Sequence, residues 1–362
     1  MKWFGILIII FIIANGMIAW SIIKHEGQQA ALPKVQPMQE TEAPQNILKS
    51  IPPTEQTREE ASLKPFDGQQ IWIAPNLVAQ DYDKIFLPGA EWSSVKRKTH
   101  VFKFYIDNLQ KKNEAVLRNI ITSLNDAQIA IGVEAGGVRN WQCSGAIMAE
   151  IEHAKMAPLL NAGGNIHFIV MDSPFGSSLA QANSPCKYSI QQSAKEAATY
   201  VRLMKGKIPG VKIGWIEAVP WYTAGQYTNH QGNNFGDLRE VFSAFITALQ
   251  QEGTRIDFFH VDSPYSYNER TPNGWEKLKA LQDFARGYGL RFGVIFNSEE
   301  GGQKGDKRFY TETLQGIDKF AAAGGAPDDV IIQSWYTYPA LALPETQPYT
   351  FMYLVQKAIE AA

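Results

Sequence analysis

The chain has 362 residues, of which 45% are hydrophobic and 19% are charged, and its formal net charge is −2. A chain of this length and composition can form one large domain or two medium ones, and it is too apolar to be intrinsically disordered. The balanced charge gives no basic field of the kind that binds nucleic acid, so we expect no nucleic-acid partner.

The first 23 residues predict a membrane-spanning helix. No charged residue occurs from Trp3 to Ile23, and about 20 apolar residues are enough to cross a bilayer. A cleaved signal peptide is the alternative, but the apolar run is long for one and no small-residue cleavage site follows it. Lys2 favours a cytoplasmic amino terminus. We therefore expect a single-pass protein of the cytoplasmic membrane, with the remaining chain on the periplasmic or extracellular side.

Residues 24–66 predict a flexible linker, because they are rich in Pro, Gln and Glu and show almost no apolar periodicity. Residues 67–362 are then left for one folded domain. Their number is a fair match to a (β/α)8 barrel, which averages about 250 residues.

Eight short apolar runs in residues 67–362 predict β-strands, and a longer helical pattern follows each of them. Strands that alternate with helices form parallel sheets, and the count of eight favours a closed (β/α)8 TIM barrel. The absence of GxGxxG after the first strand argues against a dinucleotide-binding sheet. The strands are expected at Ile71–Ala74, Val101–Ile106, Ile129–Glu134, Ile166–Asp172, Lys212–Glu217, Phe258–Asp262, Arg291–Asn297 and Val330–Trp335.

Four consecutive predicted strands, the third to the sixth, end in a carboxylate: Glu134, Asp172, Glu217 and Asp262. Active sites of TIM barrels lie at the C-terminal ends of the strands, so these side chains should meet at one rim. Glycoside cleavage needs one acid to protonate the leaving oxygen and one carboxylate to act as nucleophile or to activate water. We predict Glu217 as the acid/base, Asp262 or Asp172 as nucleophile or water activator, and Glu134 as a modulator. A helix cap or a salt bridge is the structural alternative for each.

Side chains alternate between the two faces of a strand, which links the orientation of each carboxylate to its neighbours. An inward Glu217 requires Trp215 to point inward as well. An inward Asp262 requires an inward His260, which would need a hydrogen-bond partner.

Lys103 alternates with Phe102 and Phe104 and is expected to face the barrel interior. A buried lysine is either paired with a carboxylate or functional. The structural pair is favoured, and a Schiff-base aldolase is the alternative. The loop SEEGGQKGDKR after the seventh strand occupies a position where many barrels bind phosphate, although a solvated loop has the same composition.

Aromatic and polar side chains near the same strand ends are candidates for sugar binding. Sugar rings stack their apolar faces on aromatic rings, while their hydroxyl groups need polar partners. Trp335 is the favoured platform, and some of the other aromatic residues are expected to pack the loops instead. The predicted substrate-binding residues are Trp335, Tyr336, Trp221, Tyr265, Asn297, Gln333, His260 and Lys103.

Cys143 and Cys186 fall in the loops after the third and fourth strands, and neighbouring loops of an exported domain can bring them together. We predict a disulfide bond between them. The six histidines show no HExxH or HxH spacing, so no metal site and no cofactor is predicted.

The segments IHFIVMDSP, KIGWIEAVPWY, IDFFHVDSPYSY and VIIQSWYTYPALALPE resemble strand ends of bacterial glycoside-hydrolase TIM barrels. The resemblance covers residues 67–362 and implies a carbohydrate-active barrel, without assigning one family. The clan with catalytic glutamates after strands four and seven is not matched, because these strands end in MDS and FNSE, and the chitinase-type DxxDxDxE is absent. In the α-galactosidase-like clan, catalytic aspartates follow strands four and six, which would match Asp172 and Asp262.

The sequence thus predicts a membrane-anchored glycoside hydrolase that acts on an envelope or extracellular polysaccharide. One alternative is a catalytically inactive carbohydrate-binding barrel in a polysaccharide synthesis or export complex. A second alternative is a lyase or aldolase that uses Lys103, which requires this lysine to be exposed in the pocket and unpaired. The hydrolase and the binding protein differ in whether two carboxylates lie at a catalytic spacing.

Overall fold

The structure is a computed structural model that describes residues 63–224 and 234–361. The predicted membrane helix, residues 1–23, and residues 24–62 of the predicted linker lie outside the described residues. Within the described ranges, no helix combines the length and the apolar composition needed to span a bilayer.

Eight parallel strands form a closed barrel in which each strand pairs with the next, and β8 pairs with β1. The predicted TIM barrel is therefore confirmed, and every strand begins and ends within two residues of its predicted position. The strands are β1 (Gln70–Ala74), β2 (Val101–Tyr105), β3 (Ala130–Ala135), β4 (Phe168–Asp172), β5 (Lys212–Ala218), β6 (Phe258–Asp262), β7 (Arg291–Phe296) and β8 (Asp329–Gln333).

Helices surround the barrel, and several begin at residues that cap the free N–H groups of the first turn. Ser189 forms a capping box with Gln192 at the start of α5, and Ser144 accepts a hydrogen bond from a first-turn N–H group of α4. The helices are α1 (Ser93–Lys98), α2 (Ile106–Leu109), α3 (Glu114–Asp126), α4 (Gly145–Asn161), α5 (Ile190–Lys207), α6 (Leu238–Gln251), α7 (Tyr265–Arg270), α8 (Gly274–Gly287), α9 (Glu299–Lys304), α10 (Asp306–Ala322) and α11 (Phe351–Ala361).

The strands separate two apolar layers. Side chains such as Phe102 and Trp215 pack outward, between the strands and the helices. Side chains such as Trp72, Phe168 and Phe258 fill the barrel interior. Because successive side chains of a strand point to opposite faces, membership of these layers fixes the orientation of every strand residue, including the predicted site residues.

Residues 63–66, which the sequence assigns to the end of the linker, lie at the N-terminal end of the barrel. Leu63 and Phe66 pack against the interior cluster, and the Phe66 ring centroid lies 5.3 Å from that of Phe168. The Lys64 ammonium donates hydrogen bonds to the carbonyl oxygens of Lys96 and Thr99. The packed chain therefore includes residues 63–66.

Candidate active site

Three of the four predicted carboxylates face the barrel interior at the C-terminal ends of their strands. Glu134 is the second-last residue of β3, and Asp172 and Asp262 are the last residues of β4 and β6. Residues two or four positions earlier on the same strands, such as Val170 and Phe258, belong to the interior cluster. Alternation therefore directs these carboxyl groups toward the barrel axis, and they meet at one mouth.

The expected inward orientation of Glu217 is wrong. Ile216 belongs to the interior cluster and Trp215 to the outer layer, so Glu217 points outward with Trp215. Its side chain is fully buried, and its Oε1 accepts a hydrogen bond from the N–H group of Phe175 at 3.0 Å. β5 continues to Ala218, which takes the inward position at the strand end. Since no part of Glu217 is exposed, its carboxyl group cannot contact a substrate in this structure.

Lys103 forms a buried ion pair with Glu134. The two side chains approach to 2.5 Å, and Lys103 is 1% exposed. The same Glu134 oxygen accepts a hydrogen bond from the Gln333 amide at 3.0 Å, and that amide also donates to the Tyr105 hydroxyl. The favoured structural pair is thus present, with Glu134 as the carboxylate. The aldolase alternative is contradicted, because Lys103 is neither exposed nor unpaired.

Asp172 is more accessible than Glu134, with 36% of its side chain exposed against 11% for Glu134. The Arg139 guanidinium donates a hydrogen bond from Nη2 to Asp172 Oδ2 at 2.8 Å. The Ser173 hydroxyl donates to the other carboxylate oxygen at 3.1 Å. Arg139 therefore pairs with Asp172 and holds its carboxyl group in place.

Asp262 has a different environment. Its Oδ1 accepts a hydrogen bond from the Asn297 amide at 2.9 Å, and the part of the chain that the structure describes gives it no ion-pair partner. Burial raises its pKa to about 7, and the negative charges of Asp172 and Glu134 act in the same direction. The Asn297 hydrogen bond and the more distant Lys103 oppose this rise. The Asp262 carboxyl group therefore holds a proton more readily than an ordinary aspartate does.

Two predicted substrate-binding residues, Asn297 and Gln333, lie at the mouth but are almost fully buried. Each donates a hydrogen bond from its amide to a carboxylate, Asn297 to Asp262 and Gln333 to Glu134. Their observed contacts orient the carboxyl groups.

The predicted contact of His260 with substrate is not supported, because this side chain is fully buried inside the barrel. Its ring packs edge-on against Trp72, with 5.0 Å between centroids. Its Nε2 lies 3.2 Å from Asp329 Oδ2, so the expected hydrogen-bond partner is present. Burial lowers the pKa of His260, and the Asp329 carboxylate opposes that effect.

The predicted aromatic residues divide into exposed and packed ones. Trp335 is 40% exposed and Trp221 is 39% exposed, so each presents free ring surface near the strand ends. Tyr336 is partly buried, and its ring lies against Gly302 of α9, where a Cβ atom would be 2.3 Å away. The Tyr265 ring packs on Trp275 of α8, and the ammonium group of Lys319 of α10 lies over it. Tyr265 therefore belongs to the outer layer, among the helices. Its predicted sugar contact is therefore not supported.

Arg139 is a site residue that the sequence analysis did not identify. It lies 33 positions from Asp172 and in a different loop, so no spacing pattern connects the two. The structure contains the predicted Cys143–Cys186 disulfide bond. Arg139 lies four residues before Cys143, and this closeness to a predicted cross-link is the sequence feature that could have identified it. That bond connects the loop of Arg139 with the loop that follows Asp172.

The mouth therefore offers two aspartates with different electrostatic environments. One strand, β5, lies between β4 and β6, so the backbones of Asp172 and Asp262 are about 10 Å apart across the sheet. Both side chains face the barrel interior at the same end of the barrel. Over residues 63–224 and 234–361, no three His, Cys, Asp or Glu side chains are grouped in a way that would hold a metal ion.

No protein-family model matches the sequence, and no curated protein matches it either. Among solved structures, the catalytic domain of a hyperthermophilic chitinase from Pyrococcus furiosus is 12% identical, covers 83% of this chain and 98% of that chain, and gives a TM-score of 0.46. The intracellular xylanase TsXylA from Thermoanaerobacterium saccharolyticum is 9% identical, with coverages of 78% and 90% and a TM-score of 0.46. The 7,8-dihydropteroate synthase from Vibrio fischeri is 11% identical, with coverages of 82% and 94% and a TM-score of 0.38. Likeness at this level concerns the barrel architecture, and no activity is inferred from it.

Proposed function

We propose that this barrel is a glycoside hydrolase in which Asp262 is the general acid and Asp172 is the nucleophile or the base that activates water. One observation carries the proposal: the two aspartates share a mouth, but Asp172 is paired with Arg139 while burial raises the pKa of Asp262 to about 7. Two carboxyl groups whose environments differ in this way supply a proton donor and a carboxylate, which are the two groups that glycoside cleavage requires.

In the proposed reaction, Asp262 protonates the glycosidic oxygen as the bond to the sugar carbon breaks. Asp172 either attacks that carbon or takes a proton from the water that does so. Asn297 holds the Asp262 carboxyl in place, and the exposed rings of Trp221 and Trp335 bind apolar faces of the sugar. Glu134 remains paired with Lys103 and acts through its negative charge, which helps to keep Asp262 protonated.

The proposal includes an exported barrel anchored to the cytoplasmic membrane through residues 1–23, acting on an envelope or extracellular polysaccharide. The apolar amino-terminal sequence supports the anchor. The disulfide bond supports an oxidising compartment, because such bonds rarely persist in the cytosol.

The test is a screen of the detergent-solubilised full chain against polysaccharides, with release of reducing ends as the readout. Asp262→Asn and Asp172→Asn should each lower the rate by about 100-fold or more, because each removes a group that acts in the transition state. Glu217→Gln is the matched control, since this carboxyl group is buried away from the mouth, and it should keep wild-type activity. Full activity in both aspartate variants would overturn the proposal.

A carbohydrate-binding barrel without hydrolysis is the second candidate. It is favoured by the finding that both Glu134 and Asp172 are already engaged in ion pairs. For this candidate, calorimetry should detect polysaccharide binding by the unmutated chain with no release of reducing ends. Turnover that depends on Asp262 would exclude it.

A further inference from the structure

Residues 136–143, here called the arginine loop, are held at both ends. At the first end, Glu152 of α4 accepts hydrogen bonds from two backbone N–H groups of the loop, at 2.6 and 3.3 Å. At the second end, Cys143 is disulfide-bonded to Cys186 in the loop after β4. The loop is therefore fixed to a helix on one side and to the neighbouring loop on the other.

Arg139 lies between these two attachments and reaches across to the mouth. Besides its hydrogen bond to Asp172, its guanidinium donates to the Ser177 hydroxyl at 3.3 Å. The side chain crosses the backbone of Gly136, where a Cβ atom would lie 2.5 Å from Arg139 Nε. A larger residue at this position would displace the arginine, so the path of its side chain depends on the exact course of the loop.

Short hydrogen-bonded connections link each cysteine of the disulfide to Arg139 or to its partner Ser177. Arg139 and Gln142 exchange backbone hydrogen bonds at 3.2 and 3.0 Å, which closes a tight turn directly before the bonded cysteine. On the other loop, the Ser184 hydroxyl accepts from the N–H group of Cys186 and donates to the carbonyl oxygen of Ser177. The cross-link therefore joins the turn that carries Arg139 to the loop that carries its second partner, Ser177.

We propose that the Cys143–Cys186 disulfide and Arg139 form one positioning unit for Asp172, so that the site works in the oxidised protein and is switched off by reduction. The catalytic part of this inference rests on the proposed function. A dithiol reductant would form its own S–S bond, and its two electrons and two protons would convert Cys143 and Cys186 to thiols. The free end of the arginine loop then moves away, and Asp172 loses the guanidinium that orients it.

The kinetic test compares the full chain with three variants: Cys143→Ser/Cys186→Ser, Arg139→Gln, and the combination of both. Each of the first two should lower kcat about tenfold or more with little change in KM, because misplacement of Asp172 affects the chemical step. The combined variant should lose no more activity than Arg139→Gln, since both changes remove the same contact. Reductant should inactivate the wild type and leave the double serine variant unchanged. Wild-type kcat in the double serine variant, together with a low kcat in Arg139→Gln, would overturn the proposal.

A second measurement needs no substrate and therefore separates this inference from the proposed function. NMR of 15N-labelled protein follows exchange of the Arg139 guanidinium protons with water, with Arg139→Lys to assign the signals. The exchange should be slow in the oxidised protein and at least about tenfold faster after reduction, at a temperature where the circular dichroism spectrum is unchanged. Equal exchange rates in the two redox states would overturn the inference even in a protein that hydrolyses sugars.

Discussion

Replacing Glu217 with glutamine should stabilise the protein at alkaline pH and change its stability much less at pH 5. Burial is the main cause that raises the Glu217 pKa to about 8, and hydrogen bonds from the backbone N–H groups of Phe175 and Gly176 oppose the rise. In the unfolded chain the same group has its ordinary pKa of 4.5. The native protein thus binds the proton more tightly than the unfolded chain does. Its contribution to stability is fully present below pH 4.5 and is lost as the pH rises through about 8.

The size of the effect follows from the difference between the two pKa values. A rise from 4.5 to about 8 corresponds to about 5 kcal/mol at ~1.36 kcal/mol per pH unit, which is an upper limit for the stability lost between acid and alkaline pH. Glutamine is neutral at every pH and has nearly the same shape. Its carbonyl can keep the hydrogen bond from Phe175.

Urea denaturation of the wild type and of Glu217→Gln at pH 5, 7 and 9 measures this difference. The variant should gain stability relative to the wild type as the pH rises, by a few kcal/mol at pH 9. Glu276→Gln is the matched control, because Glu276 is exposed on α8 and should show no such trend. A difference between wild type and Glu217→Gln that is the same at pH 5 and pH 9 would refute the reasoning.

Three further results are expected. Lys103→Met leaves Glu134 at the mouth without its cation and should lower the free energy of unfolding by about 3–5 kcal/mol; a loss below about 1 kcal/mol in urea denaturation would contradict the buried pair. Asp262→Asn should lower kcat by about 100- to 10,000-fold. In the wild type, activity should fall as the pH rises through about 7, because Asp262 loses its proton, and a pH–rate profile of the variant should lack this fall. Cys143→Ser/Cys186→Ser should cost about 4 kcal/mol, the entropy of closing a loop across a sequence separation of 43, and an unchanged denaturation midpoint would contradict that.

The barrel and most strand orientations could be predicted from the sequence. Successive side chains of a strand alternate between its two faces, so the orientation of one residue gives the orientation of all the others. Lys103, between Phe102 and Phe104, has one orientation that keeps both rings in the outer layer. The period of two does not say, however, which of the two faces of β5 points inward, because both Trp215 and Ile216 can fill an apolar layer. Gly214 indicates the inward face, since a Cβ atom there would lie 2.1 Å from the Phe258 ring in the crowded interior. A glycine on the inward face of β5 places Glu217 on the outward face.

The surroundings of the carboxylates were harder to predict, because loops create them. The contact between Arg139 and Asp172 joins two loops, and its geometry depends on Glu152 and on the disulfide. Tyr265 likewise follows a mouth strand in sequence, yet α7 begins there and turns its ring toward the outer helices. Sequence position near a strand end therefore identifies candidates, while tertiary contacts decide which of them face the mouth.

The division of roles between the two aspartates can be measured directly by NMR titration of the Asp262 carboxyl group. Full-length protein labelled with 13C at aspartate carboxyl carbons would be titrated from pH 4 to pH 9, with Asp262→Asn to assign the signal. We expect the Asp262 carboxyl to titrate with a pKa of about 7, as a proton donor at neutral pH must. Titration near the ordinary value of 3.8 would leave the mouth without an acid and contradict the proposed hydrolytic function.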